Sequence, residues 1–315
     1  MKHSIPLARL GNRAARLGAV LSTAALLSAV IVSAAVADWR KDYPKVTQGV
    51  SSHETEAATM AKYQGYMKYM SAKLGVPFKI KFATDYAATM EALKSGHLQF
   101  ARMGGANYAL AHRLMGKGVE PLIVDEVRGG RGYRAVVLVR SNTKYKSISD
   151  LKGKIFAFVD PNSTSGYAAP NYFLSKQGFD PKSFFGKVLF AGSHENAVVG
   201  LVNKQFDAVA TWEFTENYTN VLRMAKKGLV DPKVVRKIWG SPLMPNPMYA
   251  GRTDVPKDLR KIFVNALLSM KKDAPTVWKS VSDGRLSGYG VTKHEEYLPI
   301  IQMTEWNKKQ RRKRK

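Results

Sequence analysis

Short apolar runs alternate with helical segments along most of this chain, and that alternation leaves few folds open. Residues 46–50, 78–82, 98–103, 122–127, 134–139, 155–159, 188–190 and 206–210 read as strands, and 234–239 as extended chain. Between them, 54–74, 86–94, 106–115, 167–177, 196–203, 213–227 and 259–272 read as helices. Glycines at 75, 96, 116 and 178 stop four of these helices, and Pro256 starts the last. Such β/α order predicts an α/β chain with largely parallel sheets. No repeat at a solenoid period interrupts it.

Two stretches look like crossings between lobes. One is the β-prone run 133–140, which follows the turn Arg128-Gly129-Gly130-Arg131-Gly132; the other is 241–251, stiffened by Pro242, Pro245 and Pro247. They divide the chain into a first lobe of 38–133 plus 249–307 and a second lobe of 134–248. A ligand cleft between the lobes follows from that division.

Residues 1–37 stand apart. Lys2, Arg9, Arg13 and Arg16 form a basic start, no acid precedes Asp38, and 17–36 is apolar. Ala35-Val36-Ala37 is a small-x-small site, so a secretory signal peptide cleaved after Ala37 is expected, and with it a periplasmic location. An uncleaved anchor is the rival, because the run is near membrane-spanning length. Its many Ala, Ser and Thr residues and the cleavage site favour cleavage.

The chain has no cysteine, which removes disulfides, thiolate catalysis and thiolate metal ligation. Its formal charge is +26. The four basic leader residues and seven more at 308–315 account for eleven of these charges, and a basic body concentrates small anions around it. The tail reads as a disordered, solvated terminus suited to touch anionic lipid. No basic module interleaved with aromatics suggests nucleic acid.

The densest chemical signal is Asp160-Pro161-Asn162-Ser163-Thr164-Ser165-Gly166, between the apolar run 155–159 and a helix. A helix N-terminus has free N–H groups and partial positive charge. Hydroxyls beside it can hold a small anion. An ordinary Ser/Thr cap is the competing reading. His194, in Gly192-Ser193-His194-Glu195-Asn196, sits at another strand-to-helix turn, as does Asp85-Tyr86. Glu213 and Glu216 follow the strand at 206–210 and could hold a ligand proton or favour a helix start. No Gly-x-Ser-x-Gly, His-Glu-x-x-His or Gly-x-x-x-x-Gly-Lys-Ser/Thr motif occurs, and the histidines lack short metal-ligand spacing, so neither enzyme, metal nor cofactor is expected.

With these motifs the chain resembles the phosphate/phosphite/phosphonate-binding proteins of ABC transporters, from about Val46 to Trp306. The resemblance implies a type II periplasmic-binding-protein fold, with two lobes joined by a two-crossing hinge. It implies that Ser163, Thr164 and Ser165 grip phosphoryl oxygens and that His194 and Tyr86 join them. Asn203-Lys204-Gln205-x-Asp207 matches the family's lead-in to the next strand, and Ser241-Pro242-Leu243 opens the return crossing. The implied partners are a small oxyanion and an ABC permease, or a sensor kinase in its place, with a monomeric receptor.

Three departures accompany the resemblance. Met103-Gly104 stands where the family often has an aromatic, which leaves a hydroxyl to be supplied elsewhere, with Tyr108 as a candidate. Either Glu213 or Glu216 could be the family's glutamate. Asn246 takes the position of the aspartate that pairs with an ammonium in aminophosphonate binders, so an amino-bearing phosphonate is not the expected ligand.

Overall fold

The computed structural model describes residues 38–51, 56–83 and 86–313. The signal peptide expected over 1–37 and the residues Thr84 and Asp85 lie outside the described residues. The compact unit begins at Trp39.

Its strands are β1 (Val46–Ser51), β2 (Phe78–Ala83), β3 (Phe100–Met103), β4 (Val119–Val127), β5 (Gly132–Arg140), β6 (Ile155–Phe158), β7 (Lys187–Phe190) and β8 (Ala208–Thr215). The short β9 (Tyr218–Thr219), then β10 (Val235–Gly240), β11 (Met244–Pro245), β12 (Met248–Arg252) and β13 (Leu286–Val291), complete them. Its helices are α1 (Glu56–Leu74), α2 (Tyr86–Lys94), α3 (Gly105–Met115), α4 (Ala169–Lys176) and α5 (Pro181–Phe184). After them come α6 (His194–Val202), α7 (Asn220–Lys226), α8 (Lys257–Asp273), α9 (Pro275–Ser282) and α10 (Leu298–Lys313).

Two sheets form. One runs β13-β4-β12-β3-β1-β2; the other runs β10-β5-β8-β6-β7. This is the α/β, two-sheet arrangement that the resemblance implies. The sheets are mixed, not largely parallel. β1 pairs with β2 and β3, and β6 with β7 and β8, in parallel. The strands next to the crossings, β4, β5, β10 and β12, pair antiparallel. The short turn from β4 to β5 links the two sheets rather than pairing these strands.

The run 133–140, expected as the first crossing, lies within strand β5; the link from β4 to β5 is the turn before it, with Arg128 and Gly129 at φ 50° and 80°. The second runs from Ser241 to Pro247 beside it. Ser241 Oγ accepts from the Ala135 N–H at 3.0 Å, and β11 pairs with the start of β5. Asn246 binds the two crossings together. Its buried side-chain Nδ2 donates to the carbonyls of Asp125 (2.9 Å) and Gly130 (3.1 Å), and its backbone carbonyl accepts from Tyr297 Oη at 3.0 Å.

Apolar side chains fill each sheet's faces. Phe263 of α8 stacks on Phe100 of β3 with centroids 3.8 Å apart, both fully buried. Each such ring contributes roughly 1.5–3 kcal/mol by leaving water. In the second sheet Phe156 stacks on Phe185 at 4.3 Å on one face, while Val198, Leu201 and Met224 cover the other.

Two expectations need correction. Residues 213–227 are not one helix. Glu213–Thr215 extend β8, a hairpin turns to β9, and α7 starts after Thr219, whose Oγ1 caps it by accepting from the Leu222 N–H at 3.1 Å. Trp212, Phe214 and Tyr218 pack on one another across that hairpin, which holds the strand form. The basic tail is also helical through Lys313, because α10 buries Ile300, Met303 and Asn307 on one face. Asn307 Nδ2 donates to the Ala168 carbonyl at 2.8 Å, and its Oδ1 accepts from Asn171 Nδ2 at 2.8 Å.

Candidate functional site

β6 delivers the chain to Asp160, which builds the next turn. Its carboxylate accepts from the Asn162 N–H at 2.7 Å and its carbonyl from the Ser163 N–H at 2.9 Å. Ser163 then caps a wide helical turn over 164–168, with Oγ accepting from the Gly166 N–H at 3.1 Å. A Cβ on Gly166 would lie 2.4 Å from the Val159 side chain, so glycine lets the turn fold back onto the end of the strand. The capping reading is therefore met by Ser163 alone. The other two hydroxyls are used differently.

Thr164 Oγ1 accepts from the Ala106 N–H at 2.8 Å, at the start of α3. This bond joins the 163–166 loop to an element of the first sheet. The Ser165 and Thr164 hydroxyls lie near the Tyr133 phenol, which they favour in its ionised form. Ser163, Thr164 and Ser165 are 2–3% exposed, yet all three line one cavity of about 150 Å³.

His194 is the first residue of α6, and Ser193 caps that helix by accepting from the Asn196 N–H at 3.0 Å. The imidazole is buried. Its Nδ1 lies 3.0 Å from Thr211 Oγ1 and its Nε2 3.5 Å from Ser163 Oγ, the long limit of a hydrogen bond. Tyr86 opens α2 and meets Ser163 through its hydroxyl. Burial, then the nearby Asp160 charge, raises its phenol well above the ordinary tyrosine range. Burial likewise pushes Tyr133 up to about 12, against the Thr164 and Ser165 hydrogen bonds that pull it down. Both phenols keep their protons at neutral pH and can donate to an anion.

Tyr86, Ser163, Thr164, Ser165 and His194 thus meet at one cavity. The remaining sequence candidates do not. Glu213 Oε1 pairs with Lys237 Nζ at 2.6 Å, and Glu213 and Glu216 line a neighbouring cavity of about 220 Å³. Asn246 is committed to the crossings. Tyr108 does not replace the missing hydroxyl, since its Oη lies 2.8 Å from His294 Nδ1, away from the cavity. The His112 and His294 rings do come within 4.5 Å, but no group of three metal-ligating residues forms among the described residues.

The cavity also contains residues that the sequence did not single out. Arg102 on β3 pairs with the fully buried Asp125 carboxylate, and Arg285 Nη2 lies 3.9 Å from the same carboxylate. Burial opposes the Arg102 charge, but Asp125 outweighs it and holds the guanidinium above its ordinary pKa. Arg223 pairs with Glu195 at 3.1 Å and lies 5.6 Å over the Trp212 ring. Trp212 stacks on Tyr218 at 5.6 Å, and Phe214 stacks on Tyr133 at 5.1 Å. A cluster of hydroxyl donors at one end therefore faces an aromatic wall edged by guanidinium groups. No local sequence signal marks these residues as one site, because they come from β3, β5, β8, β9, α7 and the turn before β13.

Comparison with known proteins places the chain in a wider set. The family model described as "ABC transporter, phosphonate, periplasmic substrate-binding protein" matches residues 48–297. The phosphonates-binding periplasmic protein of Escherichia coli (strain K12) is 31% identical over 202 residues, covering 62% of this chain and 57% of that relative. This chain spans between 57% and 65% of the length of the curated relatives it matches. Among solved structures, a binding protein component of an ABC phosphonate transporter from Pseudomonas aeruginosa has a TM-score of 0.73 at 24% identity, over 82% of this chain and 85% of that one. The Prochlorococcus marinus PhnD1 in complex with methylphosphonate has a TM-score of 0.70 at 19% identity, over 84% of this chain and 99% of that one.

Proposed function

Because the chain belongs to the family of periplasmic substrate-binding proteins of phosphonate ABC transporters, we propose that it captures a small phosphorus oxyanion between two lobes and delivers it to a membrane permease. Phosphite, phosphate and short alkylphosphonates are the ligand class. The observation that carries this reading is the meeting of Ser163, Thr164, Ser165, His194 and Tyr86 around a cavity of about 150 Å³. That volume suits a compact solute. Charge-assisted hydrogen bonds from hydroxyl, imidazole and phenol groups replace the water shell of the anion. The names of the Escherichia coli and Prochlorococcus marinus relatives support the same ligand class.

The two sheets act as the lobes, and 128–131 with 241–247 act as the hinge. The ligand stabilises the closed form, so affinity includes the cost of closure. The protein works in the periplasm after loss of residues 1–37. An ammonium-bearing phosphonate is disfavoured. Asn246 stands in place of the aspartate that would pair with an ammonium, and a neutral amide supplies no such charge.

A thermal-shift screen tests the proposal, since a ligand bound only by the folded state raises the melting temperature. Methylphosphonate, phosphite or phosphate should raise it, and 2-aminoethylphosphonate should raise it less than phosphite. No shift with any phosphorus oxyanion would refute the reading, and a larger shift with the aminophosphonate would refute the selectivity.

A further inference from the structure

α3 begins directly after β3, and its first turn touches the 163–166 loop beside the cavity, where the Ala106 N–H donates to Thr164 Oγ1. Its N-cap, Gly104, provides no side-chain cap. A Cβ on Gly104 would lie 2.9 Å from Thr164 Oγ1, so glycine permits this close approach. The third residue of the helix is Asn107. It lines the cavity, is fully buried, and has no hydrogen-bond partner for either Nδ2 or Oδ1 among the described residues. A buried carboxamide with neither end satisfied is costly, and such groups are normally completed by a partner. Asparagine also has poor helix propensity, so local structure gives no reason for it here.

We infer that Asn107 and the N-terminus of α3 form a second oxyanion subsite, adjoining the Ser163-Thr164-Ser165 loop, which recognises a ligand that still carries a P–OH group. This rests on the oxyanion reading above and goes further by specifying the protonation state. Nδ2 donates to an anionic phosphoryl oxygen, and the dipole of this eleven-residue helix favours the negative charge. Oδ1 needs a donor, and a protonated phosphoryl oxygen is one. Methanesulfonate has the same shape as methylphosphonate but carries no acidic proton near neutral pH. It would leave Oδ1 facing a bare anionic oxygen. Sites that hydrogen-bond a ligand hydroxyl reject analogues lacking it, because a buried polar group is then left unpaired.

Calorimetry on the full-length protein with methylphosphonate and methanesulfonate at neutral pH tests this. Wild type should prefer methylphosphonate. Asn107→Leu should weaken methylphosphonate binding roughly ten- to a hundredfold and shrink the preference over methanesulfonate. The melting temperature of the unliganded variant should not fall, because no protein hydrogen bond is lost. If Asn107→Leu does not fold, Asn107→Ala reads the same loss. Wild-type affinity and preference in a folded variant would overturn the inference and leave the oxyanion reading standing. A wild-type protein that binds neither probe would overturn both.

Discussion

Thr211 Oγ1 lies 3.0 Å from His194 Nδ1, and both side chains are shut away from solvent. The contact fixes the imidazole plane, which leaves Nε2 directed at Ser163 Oγ. Replacing Thr211 by Val keeps the shape and removes the partner. Stability should fall by about 1 kcal/mol, and the freed ring should weaken oxyanion binding several-fold. Urea denaturation and calorimetry on Thr211→Val measure the two effects. A variant indistinguishable from wild type in both would show that the contact does not orient the ring.

The three hydroxyls of the loop should not be equivalent. Ser163→Ala and Thr164→Ala should each weaken methylphosphonate binding by roughly 1–3 kcal/mol. Thr164→Ala also frees the Ala106 N–H, so it should lower the stability of the unliganded protein. Ser163→Ala loses the cap on Gly166, a further cost of about 1 kcal/mol. Unchanged affinity in both variants would remove the loop from the site.

Among the described residues, Trp212 alone borders both the cavity at Ser163 and the neighbouring cavity of about 220 Å³. Trp212→Ala should join them. The variant should then bind a longer alkylphosphonate, such as hexylphosphonate, more tightly relative to methylphosphonate than wild type does. Identical chain-length profiles in wild type and variant would show that Trp212 is not the partition.

Asp125 is fully buried against Arg102, with Arg285 close by. Asp125→Asn should destabilise the fold by about 3 kcal/mol, because it leaves guanidinium charge in a dry site without its counter-ion. Denaturant midpoints measure this. The double variant Arg102→Met with Asp125→Leu should recover much of the loss, since the stranded charge is then gone. No loss in Asp125→Asn would mean that solvent already reaches Arg102.

What the sequence revealed was local. Asp160 to Gly166 could be read because its strand, turn and helix follow one another within a few residues, and α2 begins at Tyr86 as its pattern suggests. The strand form of Glu213–Thr215 was hidden, because it depends on Trp212, Phe214 and Tyr218 packing together around a hairpin. The helix at the basic end was hidden by its charge. Only tertiary contacts show that Met303 and Asn307 face inward. Arg102, Asn107 and Arg285 carry no motif, and only folding brings them to one cavity. Asn246 Nδ2 donates to the Asp125 and Gly130 carbonyls, a role its position in the sequence did not indicate.

The most direct test of the account is a crystal structure of the protein with methylphosphonate. The account predicts phosphoryl oxygens within hydrogen-bonding distance of the Ser163, Thr164 and Ser165 side chains, with His194 Nε2 on the same group. A methylphosphonate bound elsewhere, or those three hydroxyls turned away from it, would contradict the account.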